Sequence, residues 1–192
     1  MNHYFSEKEP EDSNPQLVFY NFGQNKYTFK TDSGVFSVKK VDHATDILLQ
    51  NIPSLSGSLL DMGCGYGCIG IVLAKEYELE LTQADINPRA VRLTAENAAN
   101  NGVVSQVVQS DGFGNLQGSS YDTVVINPPI HAGKSVVFSM YEGACRHLKP
   151  GGSLYVVIYK KHGAESTIKR IREIFGVCDV LYKKKGLYVL RG

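Results

Sequence analysis

The sequence predicts an α/β protein: a mostly parallel, seven-stranded sheet with helices on both faces, an antiparallel last strand and a small N-terminal hairpin. Three observations predict it. Between residues 58 and 160 short apolar runs alternate with helical stretches of about 10–16 residues, the spacing of parallel crossover units. The runs VCDVLYK (177–183) and GLYVLR (186–191) are joined too tightly to be parallel. LVFYNF (17–22) and KYTFKT (26–31) flank Gly23-Gln24-Asn25, a hairpin pattern.

Taken in order, residues 1–16 are polar, carry Pro10 and Pro15, and are expected to form an arm that packs late or not at all. After the hairpin (17–31), Asp42 to Ile52 reads as a helix with Ala44, Ile47, Leu48 and Ile52 on its apolar side, ended by Pro53 and Gly57. SLLDMG (58–63) is a buried strand, and CGYGCIGIVLAKEY (64–77) turns into a helix. LTQADI (81–86) is a strand, Pro88 opens a helix to about Asn100, and VVSQVVQS (103–110) is the next strand. After a loop over 111–120, YDTVVIN (121–127) is a strand ending at Pro128-Pro129, and Lys134 to Leu148 is a helix. SLYVVIYK (153–160) is a strand, Glu165 to Phe175 a helix, and the final pair turns around Lys184-Lys185. Right-handed crossovers place the C-terminal ends of the parallel strands along one edge, where open α/β sheets bind ligands.

A chain of 192 residues, 43% hydrophobic and 20% charged, has enough apolar material for one core, so residues 17–192 read as one domain. Twenty basic against nineteen acidic residues leave a net charge of +1, which decides nothing about partners. Cys64, Cys68, Cys145 and Cys178 lack the spacing of a zinc set and read as small core residues in a reducing compartment. No run approaches the 18 or more apolar residues that would span a bilayer, so neither membrane nor metal is expected and the setting is taken as cytoplasmic.

Asp61-Met62-Gly63-Cys64-Gly65-Tyr66-Gly67 follows a strand and opens a helix, where glycines let the backbone turn sharply and approach a ligand. Two readings compete. Gly65-x-Gly67-x-x-Gly70, with Asp85 about 20 residues on, matches the dinucleotide fingerprint. Against it, a carboxylate at Asp61 repels a pyrophosphate and suits an ammonium, and no second domain is expected for a hydride acceptor. S-adenosylmethionine, with its sulfonium and amino-acid end, fits three carboxylates placed after successive strands: Asp61 for the ammonium, Asp85 for the ribose hydroxyls and Asp111 for the adenine amino group.

Asn127-Pro128-Pro129-Ile130 follows the fourth strand of the sheet on the same edge. Two prolines hold the segment stiff and extended. An exocyclic amine conjugated to a heterocycle is a poor nucleophile. The Asn127 amide oxygen and the Pro128 carbonyl could accept its two hydrogens and favour the charge that develops during methyl transfer. A proline-rich elbow with a capping asparagine is the plain alternative.

These motifs resemble the class I, Rossmann-like S-adenosylmethionine-dependent methyltransferases. More narrowly, the chain is similar to the small-domain family that contains the guanine-N2 methyltransferases of 16S ribosomal RNA. The resemblance runs through HYF (3–5), GVFS (34–37), VDHATDILL (41–49), LLDMGCGYGCIG (59–70), ADINPRAV (84–91), SDGF (110–113), NPPIHAGK (127–134) and KKGLYVLRG (184–192). It implies cofactor contacts at Asp61, Gly63, Gly65, Asp85, Ile86, Asp111 and Gly112, with Asn127 and Pro128 at the reaction centre. Phe36, Pro129, Ile130, His131 and Lys134 are then expected around the substrate.

Larger members look like a degenerate N-terminal copy fused to a catalytic copy, and only the catalytic type is present here. Gripping ribosomal RNA or a small ribosomal subunit would then need this chain's own surface or another chain, self-association included; otherwise the substrate is something smaller. Relatives with an Asn-Pro-Pro motif that methylate adenine N6 or a glutamine amide usually place Tyr or Phe where Ile130 stands, which favours guanine. A glutamine-amide or adenine-N6 enzyme remains the alternative, as does a non-catalytic cofactor-binding assembly module.

Charge is uneven along the chain. Residues 1–15 carry four acidic side chains and one lysine, whereas residues 160–192 carry nine basic side chains and three acidic ones. Lys160, Lys161 and the run Lys183, Lys184, Lys185 are expected at the ligand edge, with Lys39 and Lys40 nearby, where they would meet a phosphate backbone. Lys169, Arg170 and Arg172 read as a solvated helix face.

Overall fold

The computed structural model describes residues 13–192; HYF (3–5) and most of the expected polar arm lie outside the described residues. The hairpin is β1 (Gln16–Phe22) and β2 (Asn25–Thr31), an antiparallel pair separate from the main sheet. The main domain then runs α1 (His43–Asn51), β3 (Ser58–Met62), α2 (Cys68–Tyr77), β4 (Glu80–Asp85), α3 (Pro88–Asn100) and β5 (Ser105–Gln109). It continues with β6 (Tyr121–Ile126), α4 (Lys134–His147), β7 (Leu148–Tyr159), α5 (Ala164–Phe175), β8 (Asp179–Lys184) and β9 (Leu187–Arg191). The seven strands lie in the order β5-β4-β3-β6-β7-β9-β8, parallel except where β9 pairs antiparallel with β7 and β8. This is the Rossmann-like class I methyltransferase topology.

Because strand side chains alternate, the sheet divides its core in two. Leu59, Leu81, Val125, Tyr155, Val157 and Val189 pack with α1, α2, α3 and the hairpin. Leu60, Met62, Val124, Ile126, Leu154, Val156 and Leu190 pack with α4 and α5 on the other face. Strand order reverses between β3 and β6, which makes their C-terminal ends the switch point where such sheets receive ligands.

The hairpin is bound to the domain by amide side chains. Asn97 accepts from the Lys30 N–H at 2.7 Å, and its Nδ2 donates to the Lys30 and Tyr66 carbonyls at 2.8 Å. Asn101 repeats the pattern on Thr28. Two asparagines one helical turn apart thus imitate a neighbouring strand along β2. Tyr27 and Asn25 add hydrogen bonds to Glu76 of α2, and Phe29 packs on Tyr66 of the glycine loop.

Four local expectations are corrected. Ser13 and Asn14, placed in the free arm, both donate to the Asp32 carboxylate, so the arm's last residues are docked. The strand expected from Val103 begins at Ser105, because the Val103 N–H closes α3 on the Ala98 carbonyl. The strand expected from Ser153 reaches back to Leu148, which pairs with Tyr121 before the register shifts. The last turn is centred on Lys185 and Gly186, both at positive φ (49° and 76°), the geometry a two-residue hairpin needs. Arg170 is held by Glu142 and Glu173, in keeping with a structural α5 face.

Replacing Asn97 by Ala strips partners from one N–H and two carbonyls at once. The expected cost is about 1–3 kcal/mol, read as a lower urea midpoint, with amide exchange accelerated in β2 before the main sheet.

Candidate active site

Asp61, Gln83, Asp85 and Asn127 share a parity. Asp61 is in line with Leu59 and Gln83 with Leu81, so their side chains leave the sheet on the α1–α3 face. Asn127 continues the series of Val125 just past the end of β6. Alternation along three adjacent strands therefore brings them to one edge of one face.

Asp61 is wholly buried. Its Oδ2 accepts from the Gly70 N–H at 2.8 Å and from Gln83 Nε2 at 3.1 Å, while Oδ1 has no partner among the described residues. It therefore sits under the glycine loop, one residue inside the strand rather than at its tip. Burial raises its pKa to about 6; the bonds from Gly70 and Gln83 oppose the rise and the neighbouring Asp85 adds to it. Gln83 also donates to the Gly67 carbonyl and so clamps both ends of the α2 entry. Gly70 has to lack a side chain: a Cβ would lie 2.7 Å from Gln83 Nε2 and 3.0 Å from Asp61 Cβ. The third glycine of the fingerprint is thus a packing requirement between helix and sheet.

Asp85 ends β4 and is 9% exposed. Its Oδ2 accepts from the Gly65 N–H and its Oδ1 from the Asn87 N–H, both at 2.9 Å. Burial raises this pKa also to about 6, against the pull of those bonds. Gly63 (φ 75°) and Gly65 (φ 61°) need their freedom for the turn, and the space beside Gly65 is open. The next edge residues are linked in sequence: the Ser110 N–H bonds to the Asp85 carbonyl, and Gln109 Nε2 to the Ile86 carbonyl. Asp111 is exposed after β5, beside Gly112 at φ 50°.

The Asn127 Nδ2 donates to Thr45 Oγ1 of α1 at 3.2 Å, which leaves Oδ1 outside that bond. The Pro128 carbonyl, expected to be free for substrate, accepts from the Ile130 N–H at 2.9 Å and retains one lone pair. Ile130 and His131 lie in a short 3-10 turn, and Lys134 opens α4 with its Nζ 5.1 Å over the Phe138 ring. Ile130 and Lys134 line a cavity of about 130 Å³ whose far wall is His162, Ser166 and Thr167. Phe36 is 44% exposed on the loop after β2. Asn87 Nδ2 bonds the Gly34 carbonyl and Arg89 the Ser33 carbonyl, so that loop is stapled beside Asp85.

The expected basic residues also reach this edge. Lys160 and Lys161 begin the turn after β7, and the Lys160 N–H bonds the Gly186 carbonyl, which brings Lys183, Lys184 and Lys185 alongside. All five are exposed, as are Lys39 and Lys40 ahead of α1.

Sequence reasoning missed Thr45, Gln83, Asn87 and Arg89. Two carried a signal. Gln83 is a lone amide inside a buried strand, two residues before Asp85, and Asn87 precedes a proline at a helix start. Among the described residues no group of three or more His, Cys, Asp or Glu side chains could hold a metal, and no helix is long and apolar enough to cross a membrane.

A buried acidic oxygen without a partner, beside a glycine turn and a second raised carboxylate, suits a cation and is hostile to a pyrophosphate. The site therefore fits the amino-acid end of S-adenosylmethionine better than a dinucleotide. Residues 26–191 match the Methyltransferase small domain family. The chain belongs to that family.

Over 194 residues this methyltransferase-family chain is 41% identical to the uncharacterized protein YbxB of Bacillus subtilis, covering 98% of this chain and 96% of that protein. It is 39% identical over 140 residues to Ribosomal RNA small subunit methyltransferase C of Aeromonas hydrophila, covering 70% of this chain and 41% of that one. The Vibrio cholerae protein of the same name is 34% identical over 167 residues, 83% of this chain and 47% of its own. Among solved structures, the T. thermophilus 16S rRNA N2 methyltransferase (RsmC), in complex with AdoMet and guanosine, superposes with a TM-score of 0.83 at 26% identity. That match covers 96% of this chain and 52% of the other. The chain thus spans under half of the methyltransferase C proteins cited and about half of the solved one.

Asp61 and Asp85 hold a proton below about pH 6 in the free protein, and a ligand that needs them ionised would have to displace it. Affinity for S-adenosylmethionine is expected to be level above about pH 7. As pH falls through 6 it should weaken by up to about tenfold per pH unit for each acid that must deprotonate. Calorimetric titration from pH 5 to 8 checks this, and a level affinity over that range would contradict it.

Proposed function

We propose that this protein transfers a methyl group from S-adenosylmethionine to an exocyclic amine of RNA, and that the amine is guanine N2 of 16S ribosomal RNA. The observation that carries the reading is the pairing, on one sheet edge, of Asp61, whose Oδ1 has no partner among the described residues, with Asn127, whose Nδ2 is taken up by Thr45. A cation site and an N–H acceptor side by side are what methyl transfer to an amine requires. The names and titles of the relatives, with guanosine in the solved complex, favour guanine N2.

S-adenosylmethionine supplies an electrophilic methyl group on a sulfonium when bound. Asp61 Oδ1 would hold its ammonium, Asp85 its ribose hydroxyls and Asp111 its adenine amino group. The Asn127 Oδ1 and the remaining Pro128 lone pair accept the two hydrogens of the incoming amine. That contact turns the nitrogen lone pair toward the methyl and stabilises the positive charge that grows on nitrogen. With the donor bound, these acceptors would hold the amine for nitrogen to take the methyl as the sulfonium is released as a thioether, and the extra proton on nitrogen would pass to water. Ile130 packs on the base, and Phe36 forms a wall. A base paired in a helix cannot reach this cleft, so the target must be unpaired or flipped. A ribosomal substrate also puts the reaction in the cytoplasm.

Purified protein incubated with labelled S-adenosylmethionine and 30S subunits, naked ribosomal RNA or protein substrate should yield N2-methylguanosine. Asn127→Ala is expected to abolish the product at least 100-fold while donor affinity stays within about threefold. N6-methyladenosine or methylglutamine as the product would overturn the assignment.

Replacing Lys160, Lys161, Lys183, Lys184 and Lys185 by Gln should weaken RNA binding and flatten its salt dependence by up to about five charges' worth of slope. Filter binding from 50 to 300 mM salt checks this, and an unchanged slope would remove these lysines from the interface.

A further inference from the structure

Asn127 can serve as an acceptor only if its amide is held the right way round. A side-chain amide presents an oxygen on one side and an NH2 on the other, and a half-turn about its last bond exchanges them. With the NH2 facing the cleft, a donor would meet the donors of the incoming amine. Stiff prolines fix where Asn127 sits but do not choose between the two orientations.

In the structure Nδ2 faces α1, where the Thr45 hydroxyl, able to donate or accept, takes the accepting role. Thr45 is 5% exposed, and its Oγ1 lies 3.2 Å from Asn127 Nδ2 across 82 residues of sequence. Its own position is set by the helix start: Asp42 caps α1 by accepting from the Ala44 N–H at 2.9 Å and the Thr45 N–H at 3.3 Å. Thr45 therefore presents its hydroxyl from a braced first turn. It also lies in VDHATDILL, a segment to which the sequence attached no chemistry.

We infer that Thr45 is a positioning residue for methyl transfer: its hydroxyl accepts from the Asn127 NH2 and thereby keeps Oδ1 turned toward the incoming amine. This deepens the methyl-transfer reading and rests on it. In this role Thr45 acts through Asn127. Its loss should lower kcat and leave both the KM for RNA and the affinity for S-adenosylmethionine unchanged.

Thr45→Val keeps the shape and removes the hydroxyl; Thr45→Ser keeps the hydroxyl. Thr45→Val is expected to lower kcat about 10- to 100-fold, the usual range for groups that orient a reacting side chain, and Thr45→Ser to recover most of it. In an Asn127→Ala background, Thr45→Val should cost nothing further, since the group it orients is gone. Equal losses in both backgrounds, or a loss confined to KM, would overturn the inference.

A second readout needs no substrate. In protein labelled with 15N at asparagine, the Asn127 Nδ2 pair is identified by its loss in Asn127→Ala. One of its protons should be shifted and protected from exchange in the wild type and Thr45→Ser, and freed in Thr45→Val. Unprotected protons in the wild type would overturn the inference outright. Wild-type protein that methylates no RNA or ribosomal substrate would instead sink the function reading, and the amide signal would then judge the Thr45 contact alone.

Discussion

Asp61 is sealed beneath the glycine loop with one oxygen bonded to Gly70 and Gln83 and the other bonded to nothing described. A buried carboxylate in that state is costly, and its raised pKa is the sign of the cost. The surrounding architecture is what tolerates it. Gly70 brings α2 against β3 closely enough for a backbone N–H to reach the carboxylate, and Gln83 crosses from β4 to share it. In the proposed reaction a cationic ligand would supply what the fold withholds at this oxygen.

The same economy governs the other side of the cleft. Pro128 and Pro129 remove backbone freedom around Asn127, and the amide's last rotation is assigned to a helix capped by Asp42. Two rigid pieces, the end of β6 and the first turn of α1, therefore meet at a single hydrogen bond. Each is supported by its own packing: β6 lies between β3 and β7, and α1 buries Ala44, Leu48 and Leu49.

The hairpin extends this bracing to the glycine loop. Asn97 bonds Lys30 of β2 and the Tyr66 carbonyl with one amide, and Phe29 rests against the Tyr66 ring. Beyond β2, Asp32, Asn87 and Arg89 pin the loop that carries Phe36. The methyltransferase C relatives are about twice this length. In the present chain exposed lysines stand around Gly186 and on the loop before α1.

Strand–helix alternation, the glycine turn after β3, the acids near the strand ends and the stiff Asn-Pro-Pro segment were all legible from residue order. Each depends on neighbours a few positions away: side-chain period, proline's fixed φ, glycine's freedom. Only folding decided how the remaining parts meet. Nothing near Thr45 announces that it will reach Asn127, and nothing near Asn97 and Asn101 announces that they will border a strand some 70 residues earlier. Asp61 could be placed near a strand end from sequence, but its burial, its one bare oxygen and its debt to Gly70 and Gln83 are set by the distance between a helix and a sheet. Local stereochemistry is written in consecutive residues, whereas hydrogen bonds between distant segments exist only once the core has brought them within 3 Å or so.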